Sequence, residues 1–257
     1  MLDRVLPVED EEISALARKQ FEKQGMTILT SASVKGLKKG KNEVTVGLGD
    51  HEIKTERVLV AVGVSPNIEN LGLETTKVKI EKGHIVTDAM MRTAESGVYA
   101  IGDVTAPPWL AHKASHEGVI CVEAIAGLNP HPLHPRSIPG CTYAHPQVAS
   151  VGLTEKMAIE AGHQVKVGRF PAMANGKAIA LGETEGLVKT VFDAKTGELL
   201  GAHMIGAEVT EMIQGYCIAR TLETTEAELM HTVFPHPTLS EMMHESVLNA
   251  YGRTIHI

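Results

Sequence analysis

"GLVKTVFDAKTGELLGAHMIG" (residues 186–206) holds two runs of β-branched and apolar residues separated by a polar break at Thr196-Gly197. A break of this chemistry between two such runs reads as a hairpin. Working outward, "QVASVGLTE" (147–155) and "HQVKVGRFP" (163–171) read as further strands, and 207–222, 225–231 and 239–250 as helical runs. The segment from residue 136 onward is therefore expected to be an α+β domain built on an antiparallel sheet. Ahead of it, "HPLHPRSIPG" (131–140) has the proline and glycine content of a linker.

The N-terminal half reads differently. "EDEEISALARKQFEKQG" (9–25) is an amphipathic helix, acidic at its start and basic in later turns, stopped by Gly25. "MTILTSASVKGL" (26–37) and "NEVTVGLG" (42–49) follow as short strands. "RVLVAVGVSPN" (57–67) is a continuous apolar run ending in Gly63 and Pro66, the pattern of a strand buried on both faces. "GHIVTDAMMRT" (83–93) and "GVYAIGDVTAPP" (97–108) give two more strands. "LAHKASHEGVICVEAIAGLN" (110–129) is the strongest helix in the chain. The expected class is thus α/β plus α+β.

The 257 residues allow one large domain or two smaller ones, at about 100–200 residues each. A net charge of -7 with no basic stripe argues against nucleic acid as a partner. No apolar run is long enough to span a bilayer, and no signal-peptide pattern opens the chain. Three widely spaced cysteines, Cys121, Cys141 and Cys217, fit a reducing compartment better than a disulfide scaffold.

Chemistry concentrates in "FPHPTLSEMMHE" (234–245). His236 stands between two prolines, and His236-Pro237 is a candidate cis bond. A helix beginning near Thr238 would put Glu241 in its first turn, able to reach back to the ring. A carboxylate there fixes the tautomer and stabilises the imidazolium. The same residues also read as a rigid turn with Thr238 as N-cap and Glu241 its capping-box partner, and taken alone they favour that turn slightly. "YAIGDV" (99–104) ends an apparent strand in Gly102-Asp103, ahead of a helix whose free N–H groups suit an anionic or electron-rich ligand. Asp103 can accept hydrogen bonds from a polyol, or simply cap a turn. Gly63 would let a nucleotide approach the backbone, or is a plain strand end. His112 and His116 have metal-ligand spacing, but no third ligand accompanies them, and no metal is expected.

Together, "LDRVLPVEDEEIS", "VAVGVSPN", "VYAIGDV", "LAHKASHEG", "PQVASVGLTE", "LLGAHMIG" and "HPTLSE" follow an order and spacing that closely resemble the dihydrolipoamide dehydrogenases, flavin-dependent members of the pyridine nucleotide-disulfide oxidoreductases. The resemblance implies a partial NAD-binding subdomain at residues 1–66, the C-terminal part of a FAD-binding subdomain at 67–135, and a complete α+β dimerisation domain at 136–257. It implies FAD and NAD as cofactors, with Asp103 at the ribityl chain. Trp109, Leu110, Ala111 and His112 would lie beside the isoalloxazine, Trp109 standing where the family has methionine. Gly63 would contact NAD and Val34 would lie near its adenine. His236, held by Glu241, would take a thiol proton from dihydrolipoamide across a homodimer interface. Partners would be the dihydrolipoyl domains of 2-oxo acid dehydrogenase complexes, in the cytoplasm or the mitochondrial matrix.

The sequence departs from that pattern in one large respect. It has no G-x-G-x-x-G turn and no C-x4-C pair. The chain is therefore expected to be the C-terminal half of such an enzyme, unable alone to oxidise dihydrolipoamide. Related disulfide reductases of the glutathione or mercuric type, and a non-enzymatic dimerisation module, are the rival readings; a zinc hydrolase using His112 and His116 ranks last.

Overall fold

The computed structural model describes residues 2–49 and 51–256. Its chain divides into two compact units: residues 1–58 with 136–257, and residues 59–135.

In the first unit, helix α1 (Glu11–Lys23) starts on Asp10, whose side chain accepts from the Glu12 N–H. A three-stranded antiparallel meander follows, β1 (Gly36–Lys39), β2 (Val44–Gly47) and β3 (Glu52–Thr55). In the second unit lie the short hairpin β4 (Ile80–Glu81) and β5 (His84–Ile85), and helix α2 (Ala111–Ile125). The chain then returns to the first unit with β6 (Gly140–Thr142), β7 (Gln147–Gly152), α3 (Glu155–Glu160), β8 (Val165–Pro171), α4 (Gly176–Leu181), β9 (Leu187–Asp193) and β10 (Leu199–Gly206). Helices α5 (Val209–Thr221), α6 (Glu226–His231) and α7 (Glu241–Ala250) complete it.

The five later strands form one antiparallel sheet in the order β6-β7-β10-β9-β8. The 186–206 hairpin lies at its heart as β9 and β10. Its turn is built by Asp193, whose Oδ1 accepts from the N–H groups of Lys195 and Thr196, with Gly197 at a φ of 77°. A bulge between Leu199 and Gly201 shifts the alternation by one residue. Leu199 therefore shares a core with Ala202 and Met204, while Leu200 and Ile205 face the other way.

Strand periodicity sorts the two faces. Phe170, Val188, Phe192, Ala202 and Met204 meet α5 and α7 through Tyr216, Met242, Met243 and Val247, the main core. On the opposite face Val148 and Ile205 pack against Ile13 and Ala17 of α1. Lys189 points the same way, buried against Asp10 (2.9 Å) and Glu155 (2.8 Å), while Arg169 reaches Glu12 and Glu155. Desolvation opposes the charge on Lys189, but bonds from Glu12, Glu155 and Asp10 outweigh it and hold its pKa above the usual lysine value. On the α7 face Thr190 Oγ1 lies 3.0 Å from Ser246 Oγ, and Gly168 gives the helix room to approach, since a Cβ there would fall 2.9 Å from Ala250 N.

Four expectations need correction. Residues 57–67 are not a buried strand: they form no strand, and Leu59 and Val62 are 92% and 91% exposed. The run has the composition of a central strand, but among the described residues no strand pairs with it. Residues 26–35 likewise form no strand, and only Gly36–Lys39 of that region pairs. Residues 83–93 contribute two strand residues, and residues 97–104 a single bridge, Tyr99 to Arg92, followed by a 3-10 turn at Gly102–Val104. The expected helices at 9–25, 110–129, 207–222, 225–231 and 239–250 are all present, trimmed by one or more residues at their ends.

Candidate functional site

Pro235, His236 and Pro237 form an extended turn leading to α7, and the His236-Pro237 peptide is cis. The turn is tied down at both ends. Asn175, itself buried, donates to Thr238 O at 3.1 Å, and Leu239 inserts into the main core. Behind it the Tyr216 hydroxyl donates to Met243 O at 3.0 Å, fixing the first turn of α7.

Glu241 is the first residue of that helix, so the helix starts later than Thr238. Its carboxylate serves two partners. Oε1 lies 2.9 Å from His236 Nδ1, and Oε2 accepts from the Thr238 N–H at 2.9 Å. Burial pushes the Glu241 carboxyl up, but the Thr238 N–H and the His236 ring outweigh it, leaving the group below the usual carboxylate range. One carboxylate thus holds the His236 ring and the Thr238 amide at once. The N-cap itself is Ser240, not Thr238, whose hydroxyl instead donates to Pro235 O at 2.7 Å. With Nδ1 engaged, the His236 side chain remains 77% exposed. An imidazole held at one nitrogen and open at the other has the geometry of a general base.

In the second unit Asp103 lies exposed in the 3-10 turn Gly102–Val104. Leu110, the N-cap of α2, makes no side-chain cap hydrogen bond to the first turn of that helix, which begins with Ala111 and His112. Trp109 precedes it, its Nε1–H donating to Thr105 O at 3.1 Å and its ring edge-on to His84 with centroids 5.9 Å apart. Gly63 belongs to this unit, exposed at a φ of 112°. Val34 belongs to the other unit and is exposed, so no single unit brings Val34 and Gly63 together. His116 Nδ1 pairs with His112 O, and no cluster of metal-binding side chains occurs among the described residues. Cys121 and Cys217 are buried and Cys141 is half-buried, all three as free thiols.

The residues that sequence reasoning missed lie beneath Asp103. Lys113 and Glu117 form an ion pair of 2.6 Å with only 8% and 6% of their side-chain surfaces exposed. Glu117 Oε2 accepts from the Gly102 N–H at 2.7 Å, and Lys113 donates to Thr105 Oγ1 at 3.1 Å. Their i,i+4 spacing was visible, but it resembles any solvent-facing helix pair.

Two family models match the chain. The pyridine nucleotide-disulphide oxidoreductase model matches residues 1–118, and the dimerisation domain of the same family matches residues 138–247. A dihydrolipoyl dehydrogenase from Rhizobium etli is 59% identical, aligned over 99% of this chain and 54% of its own length. One from Zymomonas mobilis is 58% identical over 98% of this chain and 56% of its own length. The chain thus spans about half the length of the curated relatives it matches. Among solved structures, LpdA from Mycobacterium tuberculosis superposes with a TM-score of 0.89 at 25% identity, over 96% of this chain and 54% of that one. The flavoprotein disulfide reductase RclA from Escherichia coli gives the same TM-score at 24% identity, a likeness of fold alone. With both models of one family spanning most of its length and dihydrolipoyl dehydrogenases as its high-identity relatives, the chain belongs to the pyridine nucleotide-disulphide oxidoreductases.

Proposed function

We propose that this chain is the C-terminal half of a dihydrolipoamide dehydrogenase, which converts dihydrolipoamide and NAD+ to lipoamide and NADH. The observation that carries the reading is the 2.9 Å contact between His236 Nδ1 and Glu241 on an exposed ring. His236 Nε2 takes the proton of a substrate thiol, and Glu241 stabilises the imidazolium that results. The open Nε2 faces a second copy of the chain, paired through the region that matches a dimerisation domain. Partners in this reading are dihydrolipoyl domains of 2-oxo acid dehydrogenase complexes, and the setting is the cytoplasm or mitochondrial matrix.

The residues present fit part of a flavin. Asp103 offers an exposed carboxylate to a polyol, and the start of α2 at Leu110, Ala111 and His112 offers N–H groups to an electron-rich ring edge. FAD, when bound, would supply two-electron redox chemistry at this site. The fit to NAD is weaker: Gly63 and Val34 alone make no pyrophosphate cradle. In this reading residues 1–66 and 67–135 belong to nucleotide-binding subdomains and 136–257 to the interface.

A polypeptide of these 257 residues, with neither a glycine fingerprint nor a C-x4-C pair, should show no flavin absorbance and no NAD-dependent turnover. The decisive test places this chain in the Rhizobium etli relative in exchange for its matching half. The chimera should oxidise dihydrolipoamide, and His236→Gln should slow it by roughly 10²–10⁴-fold. An active chimera indifferent to His236→Gln would remove the proposed base.

A further inference from the structure

A buried ion pair needs a reason, because apolar residues of similar volume commonly serve stability as well or better. Lys113 and Glu117 sit one turn apart on α2, nearly free of solvent, outside the His236–Glu241 pair. Their hydrogen bonds converge on one turn. Glu117 takes the Gly102 N–H at 2.7 Å, and Thr105 Oγ1 donates to Gly102 O at 2.7 Å while accepting from Lys113 at 3.1 Å. Both backbone polar groups of Gly102 are thereby fixed. Gly102 has a φ of 71°, and an added Cβ would come within 3.3 Å of the Ala114 Cβ, so the turn also lies tight against the helix. Asp103 is the next residue, and it alone of this group is exposed. The Trp109 indole is tied to the same turn through Thr105 O.

We propose that Lys113 and Glu117 are positioning residues for flavin binding: they pin the Gly102–Asp103 turn onto α2, so that the Asp103 carboxylate and the N-terminus of that helix are held as one rigid pair of contacts. Lys113 balances the charge of the buried Glu117 carboxylate, Glu117 fixes the Gly102 amide, and Asp103 is presented outward without loss of conformational freedom on binding. This rests on Asp103 serving as a FAD contact, as proposed above.

The experiment separates the hydrogen bond from the charge. Lys113→Met with Glu117→Leu removes every acceptor for the Gly102 amide. Lys113→Met with Glu117→Gln removes both charges but keeps an amide oxygen in place for it. In the 257-residue chain, hydrogen exchange at Gly102 should speed up strongly in the first variant and stay near the unsubstituted rate in the second. In the Rhizobium etli chimera, FAD should bind roughly 10- to 100-fold more weakly in the first and within about 3-fold of normal in the second. If both variants hold FAD and protect Gly102, or if both lose them, the pinning role is wrong. Thr105→Val, isosteric and outside the ion pair, loosens the same turn and serves if the Leu-containing variant does not fold; normal Gly102 exchange and FAD affinity in it would overturn the proposal equally. Asp103→Ala with the pair intact is the control for the underlying reading. Full FAD affinity there would remove Asp103 as a contact, while the exchange arm would still decide whether the pair pins the turn.

Discussion

Replacing Lys189 with methionine should detach α1 from the sheet. The Lys189 side chain is 3% exposed, and three carboxylates converge on its ammonium: Asp10 at 2.9 and 3.0 Å, Glu155 at 2.8 Å, and Glu12. Methionine fills the space of the lysine stem but supplies no charge. Glu12 and Glu155 retain Arg169, whereas Asp10, also 3% exposed, keeps among the described residues the Glu12 N–H alone. Breaking a buried pair from one side costs about 3–5 kcal/mol. For a chain of this size that is a fall in melting temperature of about 10 °C, at roughly 2–4 °C per kcal/mol. Asp10→Asn in the same background removes the stranded charge while its amide oxygen can still cap α1, and should recover about 2 kcal/mol. Differential scanning calorimetry of the single and double variants, with limited proteolysis within residues 11–23, measures both effects. The fall should persist at 1 M salt, because ions do not screen a buried site. A Lys189→Met protein melting within about 1 °C of the unsubstituted chain, or further destabilised by Asp10→Asn, would refute the clamp.

Two further outcomes are expected from chemical denaturation. Gly168→Ala drives a methyl into the backbone of α7 near Ser246 and Ala250, and should destabilise the fold by roughly 1–3 kcal/mol while displacing the helix that begins with Glu241. Its readout is loss of stability together with exposure of the buried Met242 and Met243. Asp193 is held down to about 2 by its bond to His163 and by the Lys195 and Thr196 amides. Its folded pKa lies below the unfolded value of about 3.9, so its contribution is complete above about pH 4 and fades as pH falls towards 2. Asp193→Asn should therefore flatten the stability curve across that window, and an unchanged slope would count against the hairpin cap.

The legible parts of the sequence were those whose signal is local. The 186–206 hairpin showed itself because Thr196 and Gly197 are turn chemistry between two β-rich runs. His236 and Glu241 could be paired on paper because only a stiff turn lies between them. The apolar run at 57–67 misled for the opposite reason: burial of a strand depends on neighbours, and its residues carry no information on whether a neighbour is present. The bulge at Leu199–Gly201 was equally silent, since it follows from how two strands meet. Lys113 and Glu117 could not be singled out, because the sequence records their spacing and not the turn folded over them.

Asp10 and Lys189 are 179 residues apart, with the whole second unit passing between them. Closing so long an excursion is less expensive than its length suggests, because the entropic penalty grows only with the logarithm of the loop and adds about 0.6 kcal/mol per doubling. The α1–sheet module can therefore host an inserted unit, or a lengthened one, at almost constant thermodynamic expense. Its vulnerability is kinetic: on the ribosome α1 emerges long before the strands that will bury Ile13 and Ala17, and must wait for them unburied.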